Sequence, residues 1–341
     1  MTTQHLSPLT MLLSRHTRRR EFITLLGGAA AWPFAARAQK AAMPVIGFLN
    51  SASPDAFAPF VSSFLRGLEA VGFVDGQNVM IEYRSAEGQP DRLPALAAEL
   101  VRRQVTVLVA NSTASALAAK EAASTLPIVF LTGGDPVELG LVASFNRPGG
   151  NATGVSFLVN KLVEKRLELL TELTPNATAL GILVDAGNPN ALADIKAARL
   201  AAQKIGRTLV PVTVGSKSEL DAAFMALVQQ RVSALFVAAN VSFIAWRDQI
   251  IALAARHMIA ASYSGRDFVV LGGLMSYGPN QADAHRQVGV YTGRILKGSN
   301  PADMPVMQPS RFELVVNLKT ANALRLVVPN SMQLLADEVI E

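Results

Sequence analysis

Six short polar segments carry what chemistry this chain has. Ser51-Ala52-Ser53, Asn111-Ser112-Thr113, Thr132-Gly133-Gly134-Asp135, residues 185–188 (Asp185 through Asn188), Asn240-Val241-Ser242 and residues 263–267 (Tyr263 through Asp267) each follow a β-rich run. Hydroxyls, amides and glycines donate and accept hydrogen bonds without making or breaking covalent ones, so the chemistry they offer is recognition. Asn111-Ser112-Thr113 is the most specific of the six. Where such a triplet opens a helix, free backbone N–H groups and a hydroxyl can hold a carboxylate, although taken alone it also serves as an ordinary N-cap. Asp135, before Pro136, fits either a helix cap or a contact to a ligand amine. Tyr263 and Tyr277 can pack over a ligand or hydrogen-bond to it, and can equally fill a core.

Covalent and metal chemistry have little to work with. The chain has no cysteine, which excludes disulfides, thiolate nucleophiles and thiolate metal sites. There is no G-x-S-x-G elbow, no G-x-G-x-x-G after a strand and no Walker loop, and no close carboxylate pair stands out. Of the four histidines, His257 and His285 lie beyond the first forty residues, without metal-ligand spacing, and read as structural or solvated. Trp246 repeats with Ile250 and Leu253 at helical spacing and reads as core. No enzyme activity and no cofactor are expected.

The elements that must position the polar segments alternate. Short apolar runs at 45–49, 79–83, 105–110 and 128–131 are followed by helical patterns at 56–71, 93–103, 115–124 and 137–145. The run Val105-Thr106-Val107-Leu108-Val109 lacks polar alternation, the mark of a parallel sheet covered on both faces by helices. Pro148, Gly149 and Gly150 then interrupt both periods, and a second βα series begins at 180–184. Two successive series predict two doubly wound α/β lobes. Ligands in such sheets gather at the carboxyl ends of strands, where the six polar segments fall.

The front of the chain follows a different logic. Arg18-Arg19-Arg20-Glu21-Phe22-Ile23 fits a twin-arginine pattern, the next apolar stretch is short and holds Gly27 and Gly28, and Ala36-Arg37-Ala38 offers a cleavage site. Residues 1–38 are therefore expected to be a cleaved export signal rather than a membrane anchor, which needs ~20 apolar residues. That segment holds five of the 31 basic residues and one of the 26 acidic ones, leaving 26 against 25, or +1. The overall charge of +5 thus belongs mostly to the signal, and nucleic acid is excluded as a leading partner. Stable membrane insertion after cleavage is not expected.

Longer motifs carry a resemblance. Pro127-Ile128-Val129-Phe130, Gly134-Asp135-Pro136-Val137, Gly140-Leu141-Val142-Ala143-Ser144 running into Arg147-Pro148-Gly149-Gly150-Asn151, then Lys165-Arg166-Leu167-Glu168-Leu169-Leu170, Gly272-Gly273-Leu274-Met275-Ser276-Tyr277-Gly278 and Phe312-Glu313-Leu314-Val315-Val316-Asn317 resemble the bacterial ABC-transporter substrate-binding proteins. The resemblance implies the type I periplasmic-binding-protein fold, two doubly wound lobes with parallel sheets joined by three crossings. It implies a first lobe of 44–154 plus 275–305 and a second of 155–274 plus 306–341. The implied partners are a small-molecule ligand, with amino acids among those bound by relatives, and an ABC permease with its cytoplasmic ATPase. The same fold also serves ligand-sensing receptors of membrane signalling proteins. The residues implied to face the cleft are Ser51, Ser53, Asn111, Ser112, Thr113, Thr132, Gly133, Asp135, Asn188, Asn240, Tyr263 and Tyr277. The loop Asn240-Val241-Ser242 departs from relatives, which often carry acidic or proline-containing stretches there; an acid at that place could hold a ligand amine.

Overall fold

The computed structural model describes residues 43–309 and 311–341. The export signal expected over 1–38 lies outside the described residues. Among these, no helix is long and apolar enough to cross a membrane.

Two sheets organise residues 44–341. The first is built of β1 (Val45–Asn50), β2 (Met80–Ser85), β3 (Val107–Ala110), β4 (Ile128–Thr132) and β5 (Ala152–Ser156), in the order β2-β1-β3-β4-β5 and parallel throughout. Successive residues of its strands enter different cores. Val107 and Val109 join Ile46, Phe48 and Val129 on one face, while Leu108 and Ala110 join Leu49, Ile128 and Phe130 on the other. That two-sided burial is why these runs lack polar alternation.

The second sheet contains β6 (Ala179–Asp185), β7 (Thr208–Val214), β8 (Ala234–Val237), β9 (Ala260–Tyr263), β10 (Met275–Pro279), β11 (Phe312–Asn317) and β12 (Glu338–Ile340), ordered β12-β11-β10-β9-β8-β6-β7. Only β10 and β11 run antiparallel. Pro211 sits on the edge strand β7, where its missing N–H costs no ladder bond. Ile182 and Phe236 fill one core, and Leu183 and Leu235 the other.

The helices that open onto the cleft between the sheets are α1 (Pro54–Glu69), α3 (Thr113–Ala122), α4 (Val159–Leu173), α5 (Ala191–Lys204), α7 (Val241–Ala245) and α10 (Gln281–Leu296), where α2 is Leu93–Arg102, α6 is Leu220–Gln229, α8 is Arg247–Arg256 and α9 is Arg266–Val270. Helix α10 packs along α1 in the first lobe. The contact is backbone-close: a Cβ added to Gly67 would overlap the carbonyl of Arg286, and one added to Gly289 the carbonyl of Phe64. Small helices α11 (Leu318–Ala323) and α12 (Asn330–Leu335) finish the second lobe.

Three expectations change. Strand β10 pairs with β9 and β11, so residues 275–279 belong to the second sheet, and the return to the first lobe comes after Pro279 rather than at 275. Val155 and Ser156 continue β5 of the first sheet, and Met307 bridges to Val155, which moves the other two crossings later than 154 and 305. Residues 137–145 form turns instead of a helix. Leu141 N–H bonds to Pro136 O, and Gly140 at φ +69° stops the turn before a second can form.

Candidate functional site

A cavity of about 110 Å³ lies between the carboxyl ends of the two sheets. It is of the order of the ~150 Å³ apolar cavity that holds a benzene molecule, which sets the scale of a small ligand.

From the first lobe the wall is built around the start of α3. Ser112 caps that helix, its Oγ accepting from Ser115 N–H at 3.0 Å. The amides of Thr113 and Ala114 precede the intrahelical ladder, and both residues line the cavity with Asn111 and Gly133. Thr113 Oγ1 receives Gly133 N–H at 3.2 Å and Asn190 Nδ2 at 3.0 Å. With both lone pairs taken, its own proton goes to Thr132 Oγ1, 2.8 Å away. Asn111 is 1% exposed and its Nδ2 has no partner. His285, 2% exposed on α10, also lines the cavity, with Nε2 unpartnered.

The second lobe supplies the opposing wall. Asp185, at the end of β6, accepts from Gly187 N–H at 2.7 Å through Oδ1. Asn188 accepts from Asn190 N–H at 3.0 Å and donates to Ala239 O at 3.3 Å. Asn240 caps α7 through Ser242 N–H at 2.7 Å. Arg166, on α4, is 2% exposed; its Nη2 donates to Val237 O and Ser262 O at 2.8 Å each, and its guanidinium lies 3.9 Å over the ring of Phe236. Its Nε is unpartnered. Burial lowers its pKa to about 9, with Asp194 acting in the opposite direction, so the cation persists at neutral pH. The wall thus combines a buried cation, a carboxylate and unpaired donors, each a group that gains most from a polar partner when water is excluded.

A family model described as ABC transporter substrate binding protein matches residues 45–340. The chain belongs to this family. Substrate-binding proteins similar to it include the tyrosine-binding protein of Clostridioides difficile (strain R20291), 28% identical over 261 residues, 76% of this chain and 75% of that protein. A solved structure described as an ABC domain in complex with L-Trp from Streptococcus pneumonia is 27% identical, with a TM-score of 0.80 over 87% of this chain and 99% of that one. The ligand-free, open structure of a substrate-binding protein with adhesive properties from Clostridium difficile is 25% identical, covers the same shares, and gives a TM-score of 0.62. The fold is that of the type I periplasmic-binding proteins.

Within this substrate-binding protein the sequence-derived set divides. Ser51, Asn111, Ser112, Thr113, Gly133, Asn188, Asn240 and Tyr277 share the cavity wall. Four others do not lie in it. Ser53 occupies the N-cap position of α1 without a side-chain bond to it, and Thr132 is buried behind Thr113. Asp135 accepts from Val137 N–H at 2.8 Å, so of its two roles the turn cap is the one filled. Tyr263 is turned into the second-lobe core and stacked on Phe268 at 4.9 Å, where burial drives its hydroxyl pKa upward. Sequence reasoning missed Arg166, Asn190 and His285 in the wall, and set aside Asp185 as one member of a loop. The repeat of Arg166 at helical spacing with Val163 and Leu170, both core residues, was the available signal that it faces inward.

Proposed function

We propose that this chain is the solute-receiving subunit of an ABC importer, exported across the inner membrane, which captures an α-amino acid by closing its two lobes. The observation that carries the reading is a cavity between the lobes whose wall holds Asp185 together with the donor-bearing residues Asn111 and Arg166 and the first turn of α3. A ligand carboxylate suits the α3 amides and these donors, while a ligand ammonium suits Asp185. That carboxylate supplies the acid missing from the Asn240 loop. The relatives named for tyrosine and complexed with L-Trp support the amino-acid class. Direct interlobe bonding, together with a higher likeness to the L-Trp complex than to the open structure, supports closure as the capturing step. Hinge closure of this kind excludes water from the ligand and presents a changed surface to a permease.

The test is a thermal-shift screen of amino acids, aromatic acids, nucleosides and small sugars, on protein unfolded and refolded to strip carried-over ligand. A ligand at 100 times its Kd stabilises the native state by about 2.7 kcal/mol. Shifts confined to amino acids, without turnover, are expected; shifts confined to another class overturn the assignment.

A further inference from the structure

Helix α4 starts from a strained residue. Its N-cap, Leu158, stands at φ +46° and ψ +50°, in the left-handed region. Gln104, Arg231, Met258 and Arg325 are also left-handed, but each is exposed and lies just past a helix C-terminus, where that conformation is the usual stop. Glu87 is an exposed turn residue. Leu158 fits neither role, because it precedes a helix and is 5% exposed. A residue with a Cβ is disfavoured in this region and stays there only where its surroundings over-determine it.

The crossing between the lobes supplies that constraint. Phe157 N–H donates to Thr132 O and Val159 N–H to Gly133 O, at 2.8 Å each, and both side chains pack on the first-lobe core. One turn further along α4, Val163 and Leu167 belong to the second-lobe core. The left-handed turn at Leu158 thus folds the first residue of a second-lobe helix back onto the first lobe. Two contacts hold the lobes where this is possible: Asn190 on Thr113, and Val241 and Ile244 of α7 against Phe57 and Phe60 of α1. Once α4 swings away with the second lobe, the Val159–Gly133 bond breaks and nothing keeps Leu158 left-handed.

We propose that Leu158 is a strained pivot, left-handed only while the lobes are together, which opposes closure and so limits how tightly ligand is held. Its neighbours Phe157 and Val159 line the cavity, whereas Leu158 itself does not. The inference rests on the lobe closure proposed above.

Leu158→Ala and Leu158→Gly test it as a pair, since both remove the side chain beyond Cβ and only glycine adopts the left-handed region freely. Isothermal titration with L-tyrosine and L-tryptophan should show Leu158→Gly binding roughly fivefold or more tighter than Leu158→Ala. Equal affinities overturn the pivot and leave the amino-acid reading standing. Binding of neither by the unaltered protein counts against that reading alone, and small-angle scattering of the ligand-free variants then decides. The radius of gyration should be smaller in Leu158→Gly, and equal radii overturn the pivot. Should the truncated variants not fold, Leu158→Ile keeps the apolar bulk while its β-branch resists the left-handed region. It should bind several-fold more weakly than the unaltered protein, and an unchanged affinity overturns the proposal.

Discussion

Asn190 Nδ2 lies 3.0 Å from Thr113 Oγ1, a hydrogen bond from the N-cap of a second-lobe helix to the first residue of a first-lobe helix. It joins the lobes within the cavity wall and leaves each lobe's own cores untouched. Asn190→Ala is therefore expected to weaken L-tyrosine or L-tryptophan binding by about 3- to 10-fold, the worth of one neutral bond. The melting temperature of the unliganded protein should change little. Thr113→Val removes the hydroxyl that also receives Gly133 N–H and bonds Thr132, so it should lower both affinity and melting temperature. Titration and scanning calorimetry on the two variants separate these effects.

The two tyrosines should behave oppositely. Tyr277 lines the cavity and stacks on Phe312 at 6.0 Å, whereas Tyr263 belongs to the second-lobe core. Tyr277→Ala is expected to reduce ligand affinity several-fold. Tyr263→Phe keeps the ring stacked on Phe268 and should leave affinity unchanged. A loss of affinity in Tyr263→Phe, measured by titration, would contradict the placement of that ring.

What was legible in the sequence follows from what one strand or helix reveals alone. The run through Val107, Leu108 and Val109 announced a sheet buried on both sides because each of its faces has its own core. The polar triplets at Asn111 and Asn240 were legible because a strand end followed by a capping residue has few other uses. Tyr263 and Tyr277 were not separable, since which side of the sheet a strand residue faces depends on register with neighbours such as Met275↔Ser262 and Tyr277↔Leu314. Residues 275–279 look like a start of the returning segment, yet their place is decided by pairing with β9 and β11. Arg166 and His285 were hidden for another reason: a charged or titratable residue within a helix reads as solvated until a second element covers it.

Gly289→Ala tests how closely the returning helix must approach the first lobe. The added methyl would overlap the backbone carbonyl of Phe64, which cannot rotate aside. Helix α10 must then lift from α1, and a loss of about 3 kcal/mol in unfolding free energy is expected. Gly150→Ala is the control, because its new Cβ would meet only the Lys120 ammonium at an ordinary 3.5 Å. Urea unfolding of the two variants should rank them clearly, and equal midpoints would show that the α1–α10 contact yields more readily than this packing requires.

Asp194 gives the clearest pH signature. It is buried beside α4, neither carboxylate oxygen has a hydrogen-bond partner, and burial raises its pKa to about 7 despite the opposing pull of Arg166. In the unfolded chain the carboxyl ionises near its ordinary 3.8. Between about pH 4 and 7 the folded state therefore holds a proton that the unfolded state has released. The stability contributed by this group is full below about pH 4 and is lost as pH rises through 7. Asp194→Asn does not titrate, and in the unaltered protein Arg166, with its pKa at about 9, stays protonated over this range. Subtracting the wild-type unfolding free energy from that of the variant cancels the other carboxylates, so the difference should climb from pH 4 to pH 7 and level off above it. Urea titrations at four or five pH values measure it. A difference that stays flat would mean that the carboxyl reaches water or a partner in solution, and that the cation beneath the ligand cavity has no buried counter-charge.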